Sequence, residues 1–398
     1  MAWMTPEDKL DPYQKEFINT EINKQGSIWI QGFAGSGKSV LLAHQAKSIV
    51  TKEPQATIAL VVYTLSLVDL FQSSIKEIGK GTGLISKVFV MTPYEFAKNG
   101  KRYDYVLCDE VQDLTRRVLE AMKNRAGRVI VAGDSNQSIY DVDVQWNEPV
   151  IRPDEVGEIL NARPFALKII HRLTRSIIRA VNALLPSMNI WGTANDPDKP
   201  DVQIRICEAR STNSEIEYVW KNAKKVPENS GGTETAAVLL PSHKSIAKFF
   251  STLLSVNGKP AFSEGLIVDE KITDYNKVNA HLRQNGLKIQ FIGNGQGSLQ
   301  AAAENRDVIV MTYHSAKGLD FTDVFLPFLN SSAWIAKTKA EVVFMVAMTR
   351  SRRNLYITHT GYYHGFVNKF ANLDACVKID IEGMLAPPKV NSGPVIDF

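Results

Sequence analysis

The sequence predicts an α/β protein of two tandem lobes, each a parallel sheet flanked by helices. Three observations carry that expectation. Short β-branched runs alternate with longer amphipathic stretches along most of the 398 residues, the pattern of parallel strands joined through crossover helices. The alternation breaks over residues 141–163, a polar stretch holding Pro149 and Pro153 with Pro164 beside it, and then resumes. A glycine-rich turn, Gly32 to Ser39, lies between an apolar run and a helical one, the context a phosphate-binding loop requires.

In the first lobe, 27–31, 57–63, 87–91, 105–108 and 128–132 read as strands, and 38–50, 67–77 and 114–124 as helices. In the second, strands are expected at 165–170, 202–207, 236–240, 308–311, 324–327 and 355–358, and helices at 174–185, 214–224, 244–256 and 339–350. These elements divide the chain into a first lobe at 1–160, a second at 161–384 and a tail at 385–398. The stretch 188–200 and the tail from Ala386 through Pro387, Pro388 and Gly393 read as loop or mobile ends.

An apolar fraction of 44% and a charged fraction of 22% exclude a disordered or membrane-embedded chain on composition. A net charge of +4 is too small to argue for a polyanionic partner, so any such argument must come from motifs. Cys108, Cys207 and Cys376 lie far apart without metal-ligand spacing, which suggests neither zinc nor a disulfide framework. Residues 1–10 hold Glu7, Asp8 and Lys9 and make no signal peptide, and no run approaches ~18 apolar residues. The expectation is an intracellular, cytoplasmic protein without membrane contact.

Gly32-Phe33-Ala34-Gly35-Ser36-Gly37-Lys38-Ser39 fits the phosphate-loop pattern. Backbone amides approach phosphate oxygens only where side chains are absent, and the following helix adds the positive end of its dipole. Gly35, Ser36 and Gly37 would form the cradle, Lys38 would reach the β- and γ-phosphates of ATP, and Ser39 would hold Mg²⁺. The second signal is Asp109-Glu110-Val111-Gln112-Asp113, directly after the apolar run 105–108. Carboxylates at the carboxyl end of a parallel strand face the crevice where open α/β sheets bind ligands. Asp109 would hold the metal and Glu110 would orient or deprotonate the attacking water. A carboxylate pair after a strand is by itself more often a solvated turn; beside the phosphate loop it points to a nucleoside triphosphatase.

Further along, Ala132-Gly133-Asp134-Ser135-Asn136-Gln137-Ser138-Ile139-Tyr140 resembles motif III of the UvrD/Rep-like superfamily 1 helicases. The later stretches follow in that family's order. Leu167 to Arg172 resembles motif IV, Met311-Thr312-Tyr313-His314-Ser315-Ala316-Lys317-Gly318-Leu319-Asp320-Phe321 motif V, and Val346-Ala347-Met348-Thr349-Arg350-Ser351 motif VI. Near the front, Leu10-Asp11-Pro12-Tyr13-Gln14 resembles the adenine-reading Q motif. The resemblance implies two RecA-like lobes closing on ATP. Gln14 would read adenine, Gln137 would sense the γ-phosphate, Arg172 and Arg350 would reach it from the second lobe, and His171, Gly318 and Asp320 would line the nucleotide. It also implies a strand track along Tyr63, Thr64, Thr92, Tyr94, Thr312 and His314, with single-stranded DNA, or RNA, as partner. Arg352 and Arg353 read as solvated surface charges.

Departures from the family pattern shape the functional expectation. After Tyr140, where the family usually continues with Gly, an aromatic and Arg, stand Asp141, Val142 and Asp143. Asp143 would repel a passing phosphate, and Trp146 could replace the missing ring. Val40 and His171 stand where an arginine and a tyrosine usually flank the base, so base selectivity should be loose. The accessory subdomains of full-length members are missing between Tyr94 and Cys108 and reduced to something near 261–306. Within that remnant Gly293-Asn294-Gly295-Gln296-Gly297 reads as a mobile turn, lacking the frame of a phosphate loop. Two functions remain open: an ATP-driven single-strand translocase or helicase, and a strand-responsive ATPase switch governing a partner protein such as a nuclease. A small-molecule kinase would not need motifs IV to VI.

Overall fold

Strands β1 (Ser27–Gln31), β2 (Ile58–Val61), β3 (Val88–Met91), β4 (Tyr103–Cys108), β5 (Ala126–Gly133) and β6 (Ala162–Ala166) form the first sheet of a computed structural model that describes residues 5–79, 83–143, 145–188, 194–196 and 198–385. Their order is β3-β2-β4-β5-β1-β6 and every pairing is parallel. The runs read as strands because they are apolar on both faces: all four residues of β2 are buried, as expected where helices cover each side of a sheet.

Beyond it, β7 (Ile169–Ile170) and β8 (Ala194–Asn195) make a small parallel pair. Then follow β9 (Ile204–Ala209), β10 (Ala236–Leu240), the hairpin β11 (Ile267–Val268) and β12 (Lys271–Ile272), β13 (Ile289–Phe291), β14 (Val308–Thr312), β15 (Phe321–Leu326), β16 (Ser351–Thr360) and β17 (Cys376–Asp380). The second sheet runs β13-β14-β10-β15-β16-β9-β17, again wholly parallel. The architecture is two RecA-like lobes, and one hydrophobic core runs through both, taking in Leu67 and Phe71 of the first with Leu299 and Leu319 of the second.

Three expectations change. The strand expected at 165–170 in the second lobe does not form as one element: 165–166 is the end of β6 in the first sheet, paired with β1 from Ser27↔Ala162 to Gln31↔Ala166, and 169–170 is β7, so the first lobe extends past residue 160. Residues 261–306 are no separate remnant. They supply β13 and the helices Tyr275–Gln284 and Leu299–Asn305 to the body of the second lobe, and only the hairpin β11–β12 stands outside the main sheet. Gly293–Gly297 is a tight turn closed by reciprocal backbone bonds between Gly293 and Gln296, held against Leu65 of the first lobe. The tail from Ala386 and part of the stretch 188–200 lie outside the described residues. Among the described residues no helix is long and apolar enough to cross a membrane.

Candidate nucleotide and strand sites

The turn after β1 enters the helix Lys38–Lys52 through Gly37, whose φ of 84° is left-handed, as is the 81° of Gly35. Both positions demand glycine for space as well. A Cβ on Gly35 would lie 2.3 Å from Cβ of Arg172, and one on Gly37 would lie 2.2 Å from Nε2 of Gln14. Gln14 belongs to a capping box with Asp11 that starts the helix Pro12–Asn19, and its amide donates to the Ser36 carbonyl at 3.1 Å. Lys38 folds back on its own loop, Nζ donating to the carbonyls of Gly32 (2.8 Å) and Phe33 (3.3 Å). The buried Ser36 hydroxyl has no hydrogen-bond partner. Left-handed glycines, a cation resting on carbonyls and an orphaned hydroxyl fit a phosphate.

Because β5 lies between β1 and β4 in the sheet, the loops after all three open on the same crevice. Asp109, at the end of β4, accepts from the Ser39 hydroxyl. Burial and the neighbouring Glu110 push its carboxyl up to about 6. Glu110 takes a left-handed φ of 54°. Burial opposes its charge, but Lys317, Lys38 and the Gln112 amide hold it below its ordinary range. After β5, Gln137 donates to Asp134 at 2.6 Å.

Second-lobe groups complete the site. Arg350 is 1% exposed; its guanidinium meets Gln137 Oε1 at 3.2 Å and is held by the carbonyls of Val346 (2.7 Å) and Leu319 (3.1 Å). Burial and the proximity of Arg172 push it down to about 9. Arg172 pairs with Asp320 at 3.0 Å. Its amide and that of His171 both donate to the Gly35 carbonyl, at 3.3 and 2.9 Å, so Arg172 sits on the phosphate loop and does not reach it from across the cleft as expected. His171 lies between Asp11 (2.6 Å) and Asp196 (3.3 Å). Gly318 packs closely against Leu67. Gln14, Gly35, Gly37, Lys38, Ser39, Glu110, Gln137, His171, Arg172, Gly318, Asp320 and Arg350 all line one cleft of about 350 Å³.

A second cleft of about 510 Å³ between the lobes is lined by Tyr63, Thr64, Tyr140, His243, Asn294, Thr312 and His314 among others. Its aromatic rings form a row: Tyr63 stacks on Tyr140 at 5.3 Å, and Tyr140 meets His314 at 6.0 Å. Thr64 caps the helix Leu65–Ile78, and Thr312 binds the amide of Ser315 at 3.0 Å. Thr92 and Tyr94 are not in this lining. Thr92 is buried in a capping box with Glu95, and the Tyr94 ring packs edge-on against Trp146 at 4.9 Å.

Comparison with known proteins shows what the chain is similar to. Among solved structures, the crystal structure of Arterivirus nonstructural protein 10 (helicase) and its complex structure with DNA are each 15% identical with a TM-score of 0.42; they cover 86% of this chain and 61% and 62% of theirs. DNA helicase II of Haemophilus influenzae is 24% identical over 173 residues, which is 40% of this chain and 22% of that protein. The chain thus spans only a part of the relatives it matches. Residues 14–143 match an AAA domain, and residues 273–362 match the UvrD-like helicase C-terminal domain. Both domain matches support a UvrD/Rep-like helicase.

The chain's departures from the helicase pattern have structural consequences that sequence reasoning missed. Asp143 does not face a strand. It is 3% exposed and turned inward, accepting from the Tyr94 hydroxyl (2.6 Å) and the amides of Gln145 (3.0 Å) and Trp146 (2.8 Å). Trp146 is engaged with Tyr94 and with Arg117, 5.4 Å from its ring, and Val142 is exposed. Arg352, expected to be solvated, lines the nucleotide cleft and approaches Asp320 at 3.8 Å; Arg353 pairs with Glu234 (2.8 Å) and Asp323 (3.0 Å). Asp141 pairs with Lys339 across the lobes at 2.9 Å. Lys317 was passed over inside motif V. It is buried, binds the Asp113 carboxylate and the Gln137 carbonyl, and lies 3.9 Å from Glu110. A lysine four residues before the arriving strand β15, between the small residues Ala316 and Gly318, was the available signal.

Proposed function

We propose that the chain hydrolyses ATP with Mg²⁺ between its lobes and uses the cycle to move along a single nucleic-acid strand, DNA in preference to RNA. One observation supports this most. The end of β14 and the segment after it carry Thr312 and His314 in the ring-lined cleft and, a few residues on, Lys317 against Asp113, Gln137 and Glu110. A strand seated on the first pair therefore bears on the groups that govern hydrolysis.

Each residue has a defined task. Lys38 exchanges the carbonyls of Gly32 and Phe33 for the β- and γ-phosphates. Ser39 and Asp109 hold Mg²⁺, which when bound neutralises charge building on the phosphate oxygens. Glu110, kept ionised by Lys317 and Lys38, orients the attacking water and accepts its proton. Gln137 and Arg350 together address the γ-phosphate, and an arginine in that role contributes ~10³–10⁵ in rate.

A second reading is a strand-responsive ATPase that signals to a partner such as a nuclease. It is favoured by what joins Thr92 to β4, the single helix Pro93–Asn99, and by the hairpin β11–β12 as the only excursion from the second sheet between β10 and β13. Neither offers a surface broad enough to brace a duplex. The test measures ATPase rate with and without single-stranded DNA, single-stranded RNA and duplex, beside displacement of a tailed duplex. Stimulation by single strands is expected, lost in Lys38→Ala and in Glu110→Gln, the latter still binding ATP. Wild-type turnover by either variant would overturn the assignment of the site. Efficient displacement by the isolated protein would exclude the switch.

A further inference from the structure

Trp334 is the exposed tryptophan among the described residues, at 56%. It forms the wall between the ring-lined cleft and a second groove of about 720 Å³ on the second lobe, and Pro241 and Ser242 border both. The groove has a built floor. Phe328 holds a left-handed φ of 64°, a conformation that is strained for a non-glycine residue and persists only when its surroundings impose it. Here the imposing group is Glu215, 1% exposed, whose carboxylate accepts from the Phe328 amide and the Thr358 hydroxyl, each at 2.7 Å. Lys248 lies 4.6 Å above the Phe328 ring. At the rim Lys244 pairs with Glu270 of the hairpin, both about two-thirds exposed, and such a pair is worth so little that a phosphate can displace the carboxylate.

The geometry points to this groove as a second section of the nucleic-acid track, in which one base stacks on Trp334 and the backbone runs on past Lys244 and Lys248. This rests on the strand-binding reading above and extends it. Three features select a nucleic-acid strand as occupant. The groove is continuous with the ring-lined cleft through a wall that is itself a ring. One of its cations, Lys248, stands over an aromatic face, the combination that binds single strands without regard to sequence. Its other polar groups, Ser242, Ser245, Ser251, Ser332 and Asn330, are neutral and suited to sugar and phosphate oxygens.

The experiment is fluorescence anisotropy of labelled oligothymidylates graded from ~4 to ~16 nucleotides, with wild type, Trp334→Ala, Lys248→Gln and Tyr63→Ala. Affinity of the wild type should rise with length. Trp334→Ala should weaken the longer oligomers about five- to hundredfold, the equivalent of ~1–3 kcal/mol for one stacked base, and leave the shortest little changed. Lys248→Gln should lower the salt slope by about one for long oligomers alone, and Tyr63→Ala should weaken all lengths alike. If short oligomers bind and Trp334→Ala matches wild type throughout, the groove is not part of the track, although the strand reading survives. Equal losses at every length would confine Trp334 to the first cleft and also overturn the extension. If no oligomer binds at all, both the extension and the strand reading fall.

Discussion

Replacing Lys317 with Met is expected to destabilise the closed protein by ~3–5 kcal/mol. The lysine and Asp113 side chains are 3% and 0% exposed, so neither charge recovers hydration when the other is removed. Burial already pushes Asp113 up to about 6 with Lys317 beside it; without that cation the carboxylate stays charged in an apolar setting or takes up a proton at a cost. The Gln137 carbonyl also loses its donor, worth a further ~1 kcal/mol. Adding Asp113→Asn removes the unpaired charge, so the double variant should recover most of the loss and the mutant cycle should show coupling of ~2–3 kcal/mol. Urea unfolding at neutral pH measures all four proteins, and a changed m-value would reveal altered exposure in the folded state. A cost under ~1 kcal/mol without coupling is the value of an exposed pair. It would mean that the lobes do not close over Lys317 in solution, and the argument linking strand to hydrolysis would fail.

Arg350→Ala should lower kcat by ~10³ or more and leave ATP affinity within about tenfold, as for a group acting in the transition state; a pure KM effect would contradict this. Because the guanidinium also holds the Val346 and Leu319 carbonyls, melting curves are compared to separate catalysis from folding. His171 gives a pH dependence. Burial opposes its charge, but the bonds to Asp11 and Asp196 outweigh it and hold the imidazole above its ordinary 6.5. Its contribution is therefore complete below that value and is lost as pH rises through the folded pKa. The melting temperature of wild type relative to His171→Asn should fall over that interval, and a constant difference would refute the pairing.

The phosphate loop was legible because its demands are local: a strand, a turn that only glycine can make, and a helix, all within one short run. The carboxylates after β4 followed from where parallel strands end. The destination of β6 was not legible, since it holds Arg163 and Pro164 and has no fully buried residue, so no apolar pattern says whether it opens a second sheet or closes the edge of the first. β13 is only three residues long, and β17 carries Lys378 and Asp380 on a sheet edge, so neither has the apolar periodicity that marks a strand. Asp143 misled for a different reason. An anion in a polar loop suggests solvent, and its inward turn depends on the Tyr94 hydroxyl and two amides that only tertiary structure brings to it. Lys317 was hidden by its own motif, where the surrounding match accounted for it before its burial could be known.

The paired amides of His171 and Arg172 on the Gly35 carbonyl fix where the molecule can bend. Everything through Arg172 is stapled to the first lobe, and the helix Arg175–Leu184 packs on the helix Ala340–Met348 of the second. The chain therefore crosses first at residues 173–174, well past the proline-rich stretch, and crosses again after Asp196, since β8 and Asp196 return to β7 and His171. Of the two arginines lining the nucleotide cleft, Arg172 belongs by its backbone to the phosphate loop and Arg350 to the second lobe. The salt bridge from Arg172 to Asp320 is therefore a clasp between the lobes, one that would have to open whenever they part.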